Sequence, residues 1–389
     1  MGSPFLSSNY SRAGLELSTV LNREPASGSG GNSNSAPHAV TNPHQNGSVR
    51  YSSDMNMNAI AVRAGVSRAT VSRVLSGSPL VTEQTAKRIR KILEQVDFVP
   101  NRVATTLRGG RSKTYGLVIP DIRNPFYSEF LAEFEELLVE SDHEMLLTNV
   151  HTDSKLLKSV RRMLMRQVDG AVLMGSEFDT KAIEPLLLRK IPLVTVDRRS
   201  VQAGCSDVAI DYESGYQQAV EHLRSLGHER LGYIGGTAGL RTSSTRLAAF
   251  KKALKKNGLR FYPNLVRTGD YRLSGGEHAA VSLMSAALRP TALLTSNDLT
   301  AFGAIRGLHG MGLTVPNDLS LVGLDDVLLA DVLQPPLTTI RIPRKRMAQA
   351  CVRALEHTRE DVARMGSRFS VPTELIVRES TGPAGKSRR

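Results

Sequence analysis

The chain is poor in the residues that build disulfide-bonded and metal-binding proteins. It has two cysteines in 389 residues, Cys205 and Cys351, and no tryptophan. Two cysteines in unrelated sequence contexts exclude a disulfide framework and a cysteine-based zinc site. The nine histidines lack metal-ligand spacing such as H-E-x-x-H. We therefore expect no metal and no other cofactor, and we interpret His222 and His228 as structural.

Several other features are missing. No apolar run approaches the roughly 18 residues of a membrane-spanning helix. The N-terminal region has no basic-then-apolar signal pattern. There is no G-x-G-x-x-G dinucleotide motif, no G-K-[ST] phosphate loop and no G-x-S-x-G nucleophile elbow. The sequence predicts a cytoplasmic protein that is not an enzyme and has no membrane partner.

The positive charge is concentrated in one segment. Residues 54–113 carry 11 lysines and arginines against 4 aspartates and glutamates, in a chain whose formal net charge is +13. Such an asymmetry points to a polyanion partner for that segment, and nucleic acid is the usual one.

The first 54 residues have the composition of a disordered extension. Residues 1–53 contain 12 serines and a stretch reading ASGSGGNSNSAPH. This composition cannot bury enough apolar surface to offset the entropy of the chain. An equally good interpretation is that the reading frame extends upstream of a true start at Met55 or Met57.

Residues 55–98 read as three short helices. Asn56, Ser67 and Thr82 are suitable N-caps, and Gly65 can end the first helix in the left-handed region. Two helices joined by a short turn containing Gly form either a helix-turn-helix or a plain helical hairpin with a solvated basic face. In a helix-turn-helix, the residues that follow Ser67 face the DNA. These are Arg68, Ala69, Thr70, Ser72 and Arg73.

Residues 99–113 connect the helices to the rest of the chain. Asn101 can cap a helix of about seven residues, which is marginal in water at that length. Leu107 has no obvious core to enter, so it suits a wedge that enters the minor groove when DNA is bound. The other interpretation is an ordinary linker between domains.

From residue 114 to 382 the chain alternates apolar strand-like runs with amphipathic helical segments at 128–141, 213–226 and 244–257. This alternation predicts parallel sheets covered on both faces, and seven or eight units are too many for one small sheet. We expect two α/β lobes with a ligand cleft at the C-terminal ends of the strands. Polar residues collect at those ends, and each is either a ligand contact or a helix N-cap. They are Asp121, Asp197, Asn297, Asp298, Asp325 and Asp326.

Eight motifs follow one another over roughly residues 56–380. They are AGVSRATVSRVLSG, DFVPNRVATTLR, GLVIPDIRNPFYSEF, DGAVLMG, VTVDRR, HLRSLGHERLGYIGG, LLTSNDLTAFGAIRGLHGMGLTVPNDLSLVGLDD and PPLTTIRIP. In this order they resemble the LacI–GalR family of transcriptional repressors. The resemblance implies an all-α helix-turn-helix headpiece, a hinge helix and a two-lobed core similar to type I periplasmic binding proteins. Its three crossovers are expected near 210, 340 and 370. Lobe 1 is then about 114–210 and 341–370, and lobe 2 about 211–340 and 371–382, followed by a basic tail at 383–389.

The resemblance also assigns roles by position. The DNA-binding residues would be Asn58, Ser67, Arg68, Ala69, Thr70, Ser72, Arg73, Asn101, Arg102, Val103, Ala104 and Leu107. The effector-binding residues would be Phe126, Tyr127, Asp197, Arg246, Asn297 and Asp325. Carboxylates, an amide, a guanidinium and an aromatic face suit a polyhydroxylated molecule such as a sugar or sugar acid.

The favoured hypothesis is a homodimeric repressor that binds near-palindromic operator DNA under the control of a small effector. A sugar-binding protein with the same core and no DNA-binding role is the alternative. An α/β enzyme is a more distant one, because no catalytic constellation supports it.

Overall fold

A computed structural model describes residues 56–75, 78–96, 98, 111–150, 152–175 and 179–385. The predicted extension at 1–54 lies outside the described residues, as do most of the hinge and the last four residues of the tail. Five predicted DNA-binding residues are therefore not described: Asn101, Arg102, Val103, Ala104 and Leu107. The chain divides into two compact units, with the division after Phe98.

The first unit contains three helices. Asn56 caps the first one, because its Oδ1 accepts the backbone N–H groups of Asn58 and Ala59 at 2.9 and 3.1 Å. Gly65 ends the same helix at φ 64°, the left-handed conformation predicted for it. The three helices are α1 (Met57–Ala64), α2 (Arg68–Leu75) and α3 (Glu83–Gln95).

A small apolar core joins these helices. Val71 and Val74 of α2 are buried against α1 and α3. On α3, Ile92 is buried and Leu93 is only partly so. The structure corrects the predicted cap in one detail: the Thr82 hydroxyl donates to the Thr85 hydroxyl and accepts no backbone N–H.

The second unit alternates strands and helices, as expected, with two exceptions. The elements are β1 (Thr114–Ile119), α4 (Pro125–Glu140), β2 (Glu144–Asn149), α5 (Asp153–Met165), β3 (Gly170–Met174), α6 (Thr180–Leu188), β4 (Leu193–Val196), β5 (Cys205–Asp211), α7 (Tyr212–Ser225), β6 (Leu231–Gly235), α8 (Arg241–Lys256), β7 (Val266–Thr268), α9 (Leu273–Met284), β8 (Ala292–Thr295), α10 (Asp298–Gly310), β9 (Ser320–Asp325), α11 (Leu329–Val332), β10 (Thr338–Arg341), α12 (Arg344–Glu360), β11 (Arg368–Pro372) and β12 (Glu374–Ile376). The exceptions are that β4 is followed directly by β5 and β11 by β12.

These strands form two six-stranded sheets in the described part of the chain. The sheet of lobe 1 has the order β11-β5-β4-β3-β1-β2, and the sheet of lobe 2 has the order β12-β10-β9-β8-β6-β7. Neighbouring strands are parallel except β10 and β12, which are antiparallel. The chain therefore passes between the lobes after β5, after β10 and between β11 and β12.

The centre of each sheet is buried on both faces. The inner strands β3, β4 and β9 have no exposed residue, which explains why they read as continuous apolar runs. In lobe 1, α5 and α6 bury residues such as Leu156, Val160 and Ile183 on one face of the sheet, and Phe130 and Phe134 of α4 belong to the core on the other face. No described helix is long and apolar enough to cross a membrane.

Candidate functional site

Helix α2 presents most of the predicted DNA-reading residues at the surface of the first unit. Ser67, Arg68, Ala69 and Arg73 are exposed, and Thr70 and Ser72 are partly exposed. The Ser67 hydroxyl lies 2.9 Å from the Thr70 hydroxyl and accepts the Thr70 backbone N–H at 3.1 Å. This cap fixes the start of the helix and leaves the side chains of Arg68 and Ala69 on its outer surface. Asn58 of α1 is also exposed.

In the second unit, the C-terminal ends of the strands converge between the two sheets. Asp197 follows β4 of lobe 1 and is only 4% exposed. Neither oxygen of its carboxylate has a hydrogen bond of ordinary geometry to a described residue, but the Arg199 Nε lies 3.6 Å from Oδ1 and the Tyr212 hydroxyl also faces the carboxylate. Burial raises the pKa of Asp197, while the charges of Arg246 and Arg199 oppose that rise.

Arg246 extends from α8 of lobe 2 into the same cleft. Its Nη1 donates to the Ser296 carbonyl at 2.5 Å, and its Nη2 donates to the Tyr212 hydroxyl at 3.0 Å. Its guanidinium carbon lies 4.8 Å from the centre of the Tyr212 ring and 5.5 Å from that of Tyr271. Two aromatic faces thus hold the cation in place, while its Nε makes no hydrogen bond to a described residue.

Two further predicted residues lie around this cation. Burial raises the pKa of Asp325, which is 3% exposed, and the charge of Arg246 opposes the rise. Burial also raises the pKa of the Tyr127 hydroxyl, and Arg246 again opposes the rise. Tyr127 belongs to lobe 1 and Asp325 to lobe 2, so the charge of Arg246 lowers the pKa of groups on both sides of the cleft.

Two predicted effector contacts are engaged elsewhere. The Oδ1 of Asn297 accepts the Thr300 backbone N–H at 2.9 Å and also its hydroxyl, while Nδ2 donates to the Tyr271 carbonyl at 3.1 Å. Asn297 is therefore the N-cap of α10, and one N–H of its amide is left for another partner. Phe126 is 6% exposed and belongs to the main apolar core, with its ring 5.3 Å from that of Tyr127.

The remaining strand-end aspartates, Asp121, Asp298 and Asp326, have structural partners. Asp121 pairs with Arg123 at 2.8 Å. Asp298 accepts the Val327 N–H at 3.0 Å and the Thr339 hydroxyl at 2.6 Å. Asp326 forms ion pairs with Arg341 and Arg378 at 2.6 and 2.8 Å. His228 contacts Thr291 and Ser320 and is 2% exposed, which agrees with its structural interpretation. The described residues contain no cluster able to hold a metal.

Tyr212 and Tyr271 complete the cleft, and neither was predicted from the sequence. Tyr212 directly follows β5, so the rule that placed polar residues at strand ends also applies to it. Tyr271 lies in a loop at φ 63°, where the sequence gives no such signal. Its ring lies over Gly236, where an added Cβ would come within 1.9 Å of it.

Comparisons with known proteins agree with both units. Residues 56–101 match the model of the bacterial regulatory proteins of the lacI family, and residues 220–381 match a periplasmic binding protein-like domain. Catabolite control protein A of Priestia megaterium is 31% identical over 324 residues, which are 83% of this chain and 98% of that protein.

Solved structures give the same result. The lac repressor dimer bound to operator and the anti-inducer ONPF superposes with a TM-score of 0.73 at 25% identity, over 84% of this chain and 99% of that one. The complex of the transcriptional regulator CelR with cellobiose has a TM-score of 0.63 at 27% identity, over the same shares of the two chains. The chain therefore belongs to the lacI family and is a DNA-binding transcriptional repressor of that family.

Proposed function

We propose that a small polyhydroxylated effector binds in the cleft around Arg246 and controls the affinity of the repressor for its operator. The observation that carries this proposal is a set of buried polar atoms without hydrogen-bond partners among the described residues. They are both carboxylate oxygens of Asp197, the Nε of Arg246 and the Oγ of Ser296. Buried polar groups are rarely left unpaired, because each costs about 1–3 kcal/mol.

The chemistry of these atoms selects the class of effector. The carboxylate of Asp197 needs donors, Arg246 Nε needs an acceptor, and the Ser296 hydroxyl serves as either. Sugar hydroxyls donate and accept at once, and the Tyr127 ring provides a flat apolar surface beside them. A sugar or sugar acid meets all of these needs, and the related regulator CelR was solved with cellobiose.

In the other unit, Arg68, Ala69 and Arg73 are proposed to read base edges in the major groove. Arg makes two hydrogen bonds to guanine, worth about 1–3 kcal/mol of discrimination. Asn58, Ser67, Thr70 and Ser72 are proposed to contact the DNA backbone. The undescribed residues Asn101, Arg102, Val103, Ala104 and Leu107 are proposed to form a hinge helix in the minor groove, with Leu107 as the wedge.

The working protein is proposed to be a homodimer, because the lac repressor structure is a dimer bound to operator. It is also proposed to be cytoplasmic and to have no enzymatic activity. Two headpieces then occupy the two halves of a near-palindromic site. The effector binds one arrangement of the lobes more tightly, which changes the separation of the hinge segments and hence the fit to both half-sites.

A screen with two measurements tests this function. Thermal unfolding of the full chain is followed with D-ribose, D-glucose, cellobiose and D-gluconate, and any bound compound raises the Tm. Operator selection from random duplex DNA then identifies the site, and gel shifts measure how the bound compound changes its affinity. A compound that raises the Tm but leaves the operator affinity unchanged would contradict the proposed control of DNA binding by that compound. If no panel compound raises the Tm, the proposed effector class is wrong.

A further inference from the structure

We propose that Asp207 and Asp298 are positioning residues, one in each lobe, that hold the two cleft aspartates in their binding orientation. This inference rests on the proposed function, since it concerns how Asp197 and Asp325 face the effector. Neither positioning residue is proposed to touch the effector itself. Each acts through the backbone turn that follows a cleft aspartate.

In lobe 1, Asp207 lies on β5, beside the end of β4, and is fully buried. Its Oδ1 accepts the Arg198 N–H at 3.0 Å, and its Oδ2 accepts the Arg199 N–H at 3.0 Å. The Thr195 hydroxyl donates to Oδ1 at 2.7 Å and fixes the carboxylate from the other side of the turn. One carboxylate thus binds residues on both sides of Asp197 in the sequence.

The turn held by Asp207 has an unfavourable backbone conformation. Asp197 has φ 59° and Arg199 has φ 59°, a region that residues with a Cβ rarely adopt. Such conformations persist only where the surroundings enforce them. The Arg199 Nε, at 3.6 Å, and the Tyr212 hydroxyl lie beside the Asp197 carboxylate. Neither makes a hydrogen bond of ordinary geometry to it, so we infer that this turn sets the direction of the carboxylate.

Lobe 2 repeats the arrangement around Asp325. Asp298 is fully buried at the start of α10, its Oδ2 accepts the Val327 N–H at 3.0 Å, and its Oδ1 accepts the Thr339 hydroxyl at 2.6 Å. Here too the turn is unfavourable, because Asp325 has φ 129° and Asp326 has φ 56°. A buried carboxylate therefore binds the backbone just after the cleft aspartate in both lobes.

The strand next to Asp298 leaves room for this carboxylate. At Gly323 of β9, an added Cβ would lie 2.1 Å from the Asp298 Oδ1 and 3.0 Å from the Thr339 hydroxyl. Any larger residue would push the carboxylate away from Thr339. Glycine at position 323 therefore leaves the Asp298 carboxylate in place to hold the turn that follows Asp325.

The first arm of the test measures the backbone hydrogen bonds without any effector. Amide hydrogen exchange is compared between the parent and Asp207→Asn, which leaves one acceptor oxygen where two N–H groups bind. We expect exchange at Arg198 or Arg199 to quicken by about tenfold or more. Asp169→Asn is the matched control, because Asp169 also accepts two backbone N–H groups and one hydroxyl, from Ser112 and Lys113. Unchanged exchange at Arg198 and Arg199 would overturn the proposal for lobe 1.

The second arm asks whether Asp207 acts through Asp197. The panel compound with the largest Tm shift is titrated calorimetrically against the parent, Asp207→Asn, Asp197→Asn and the double variant. We expect Asp207→Asn to weaken binding by about fivefold or more in the parent and by less than about twofold beside Asp197→Asn. Equal losses in both backgrounds would mean a merely structural role and would refute positioning.

Asp298→Asn is tested in the same way against Asp325→Asn. Its control is Asp318→Asn, because Asp318 accepts the N–H and hydroxyl of Thr314.

Should Asp207→Asn fail to fold, Thr195→Val removes only the hydroxyl that fixes the Asp207 carboxylate, and the same set of variants is measured with it. If no panel compound binds, the proposed effector class fails, while the exchange measurement still decides whether the two carboxylates hold their turns.

Discussion

At the scale of single residues, Arg246 is the cleft side chain with the most demanding geometry. It donates to the Ser296 carbonyl and the Tyr212 hydroxyl at once and lies between two aromatic rings. Lysine keeps the charge but cannot span both acceptors. We expect Arg246→Lys to weaken the binding of the panel compound by about tenfold or more, measured calorimetrically.

Arg267→Lys is the matched control for this change. Arg267 bonds to the Asn264 carbonyl and the Ser282 hydroxyl within lobe 2, so it makes an equally specific set of contacts outside the cleft. An equal loss of binding in both variants would show that a general loss of structure, rather than the cleft, causes the effect.

Asp298 gives a prediction for pH. Burial raises its pKa to about 6, whereas an unfolded aspartate has a pKa of about 3.9. The folded state therefore keeps a proton between these values that the unfolded chain has lost. The contribution of this carboxyl to the free energy of unfolding is therefore complete below about pH 4. It is lost as the pH rises through 6, and the free energy of unfolding falls by up to about 3 kcal/mol.

Asp298→Asn removes this titration. We expect the Tm of the parent, relative to that of Asp298→Asn, to fall as the pH rises from 4 to 7. Thermal unfolding across that range measures the difference. A difference that stays constant with pH would contradict the role of this carboxyl.

The cleft shows which residues a sequence can predict. The places of Asp197 and Asp325 in the cleft could be predicted because they follow apolar strands, and parallel strands end at one edge. The same rule did not distinguish Asn297, which caps a helix, from a free ligand contact. Tyr271 was missed because its place in the cleft is set by contacts with Thr242 and Gly236, which are distant in the sequence.

At the scale of elements, α2 carries the contacts proposed to read the operator. Arg68→Ala removes an exposed guanidinium just after the Ser67 cap. If Arg68 binds a guanine, the variant loses about 1–3 kcal/mol on the selected operator and tolerates other bases at that position. Gel shifts on single-base operator variants measure this change.

Arg63→Ala is the control from the neighbouring helix. Arg63 lies at the end of α1, and its guanidinium donates to the Gln95 side chain. It removes the same charge, so it is expected to weaken binding evenly across sequences, if at all. If both variants lost base preference to the same extent, Arg68 would not be one of the residues that read the operator bases.

The turn before α2 depends on Gly65. Its φ of 64° suits glycine, and no atom lies within 4 Å of an added Cβ, so backbone strain alone opposes a side chain. We expect Gly65→Ala to destabilise the first unit by about 1 kcal/mol and Gly65→Asn by less, because Asn tolerates this conformation. Thermal unfolding followed by circular dichroism compares them, and equal Tm values for Ala and Asn would contradict this reason.

Strands with mostly apolar sequences were easier to predict than strands that carry several polar residues. Strands β1 to β6, β8 and β9 correspond to apolar runs seen in the sequence. The strands β7, β10, β11 and β12 have three to five residues each. Strands β7, β11 and β12 lie at sheet edges and β10 lies next to one. Polar residues such as Arg368 and Glu374 are tolerated there, so the apolar signal is lost.

At the scale of the whole core, polar contacts connect the two lobes beside the cleft. Glu129 of α4 accepts the Leu328 N–H of lobe 2 at 2.9 Å and pairs with Arg344 Nε at 3.1 Å. Arg344 begins α12 of lobe 1 and donates to the carbonyls of Asp325 and Asp326, each at 2.8 Å. No periodicity in the sequence indicates the bonds of Glu129, because Leu328 and Arg344 lie about 200 residues further along the chain.

The bonds of Glu129 are expected to favour the arrangement of lobes seen in this structure. Glu129→Ala removes both, so that arrangement becomes less populated, and the apparent affinity for a compound that needs it falls in proportion. We expect the panel compound to bind about threefold or more weakly, mainly through faster dissociation, as measured by stopped-flow competition. Glu133→Ala, one turn further along α4, removes the same charge without these bonds and is the control. If the two variants dissociate from the compound at the same rate, the bonds of Glu129 do not hold the lobes together.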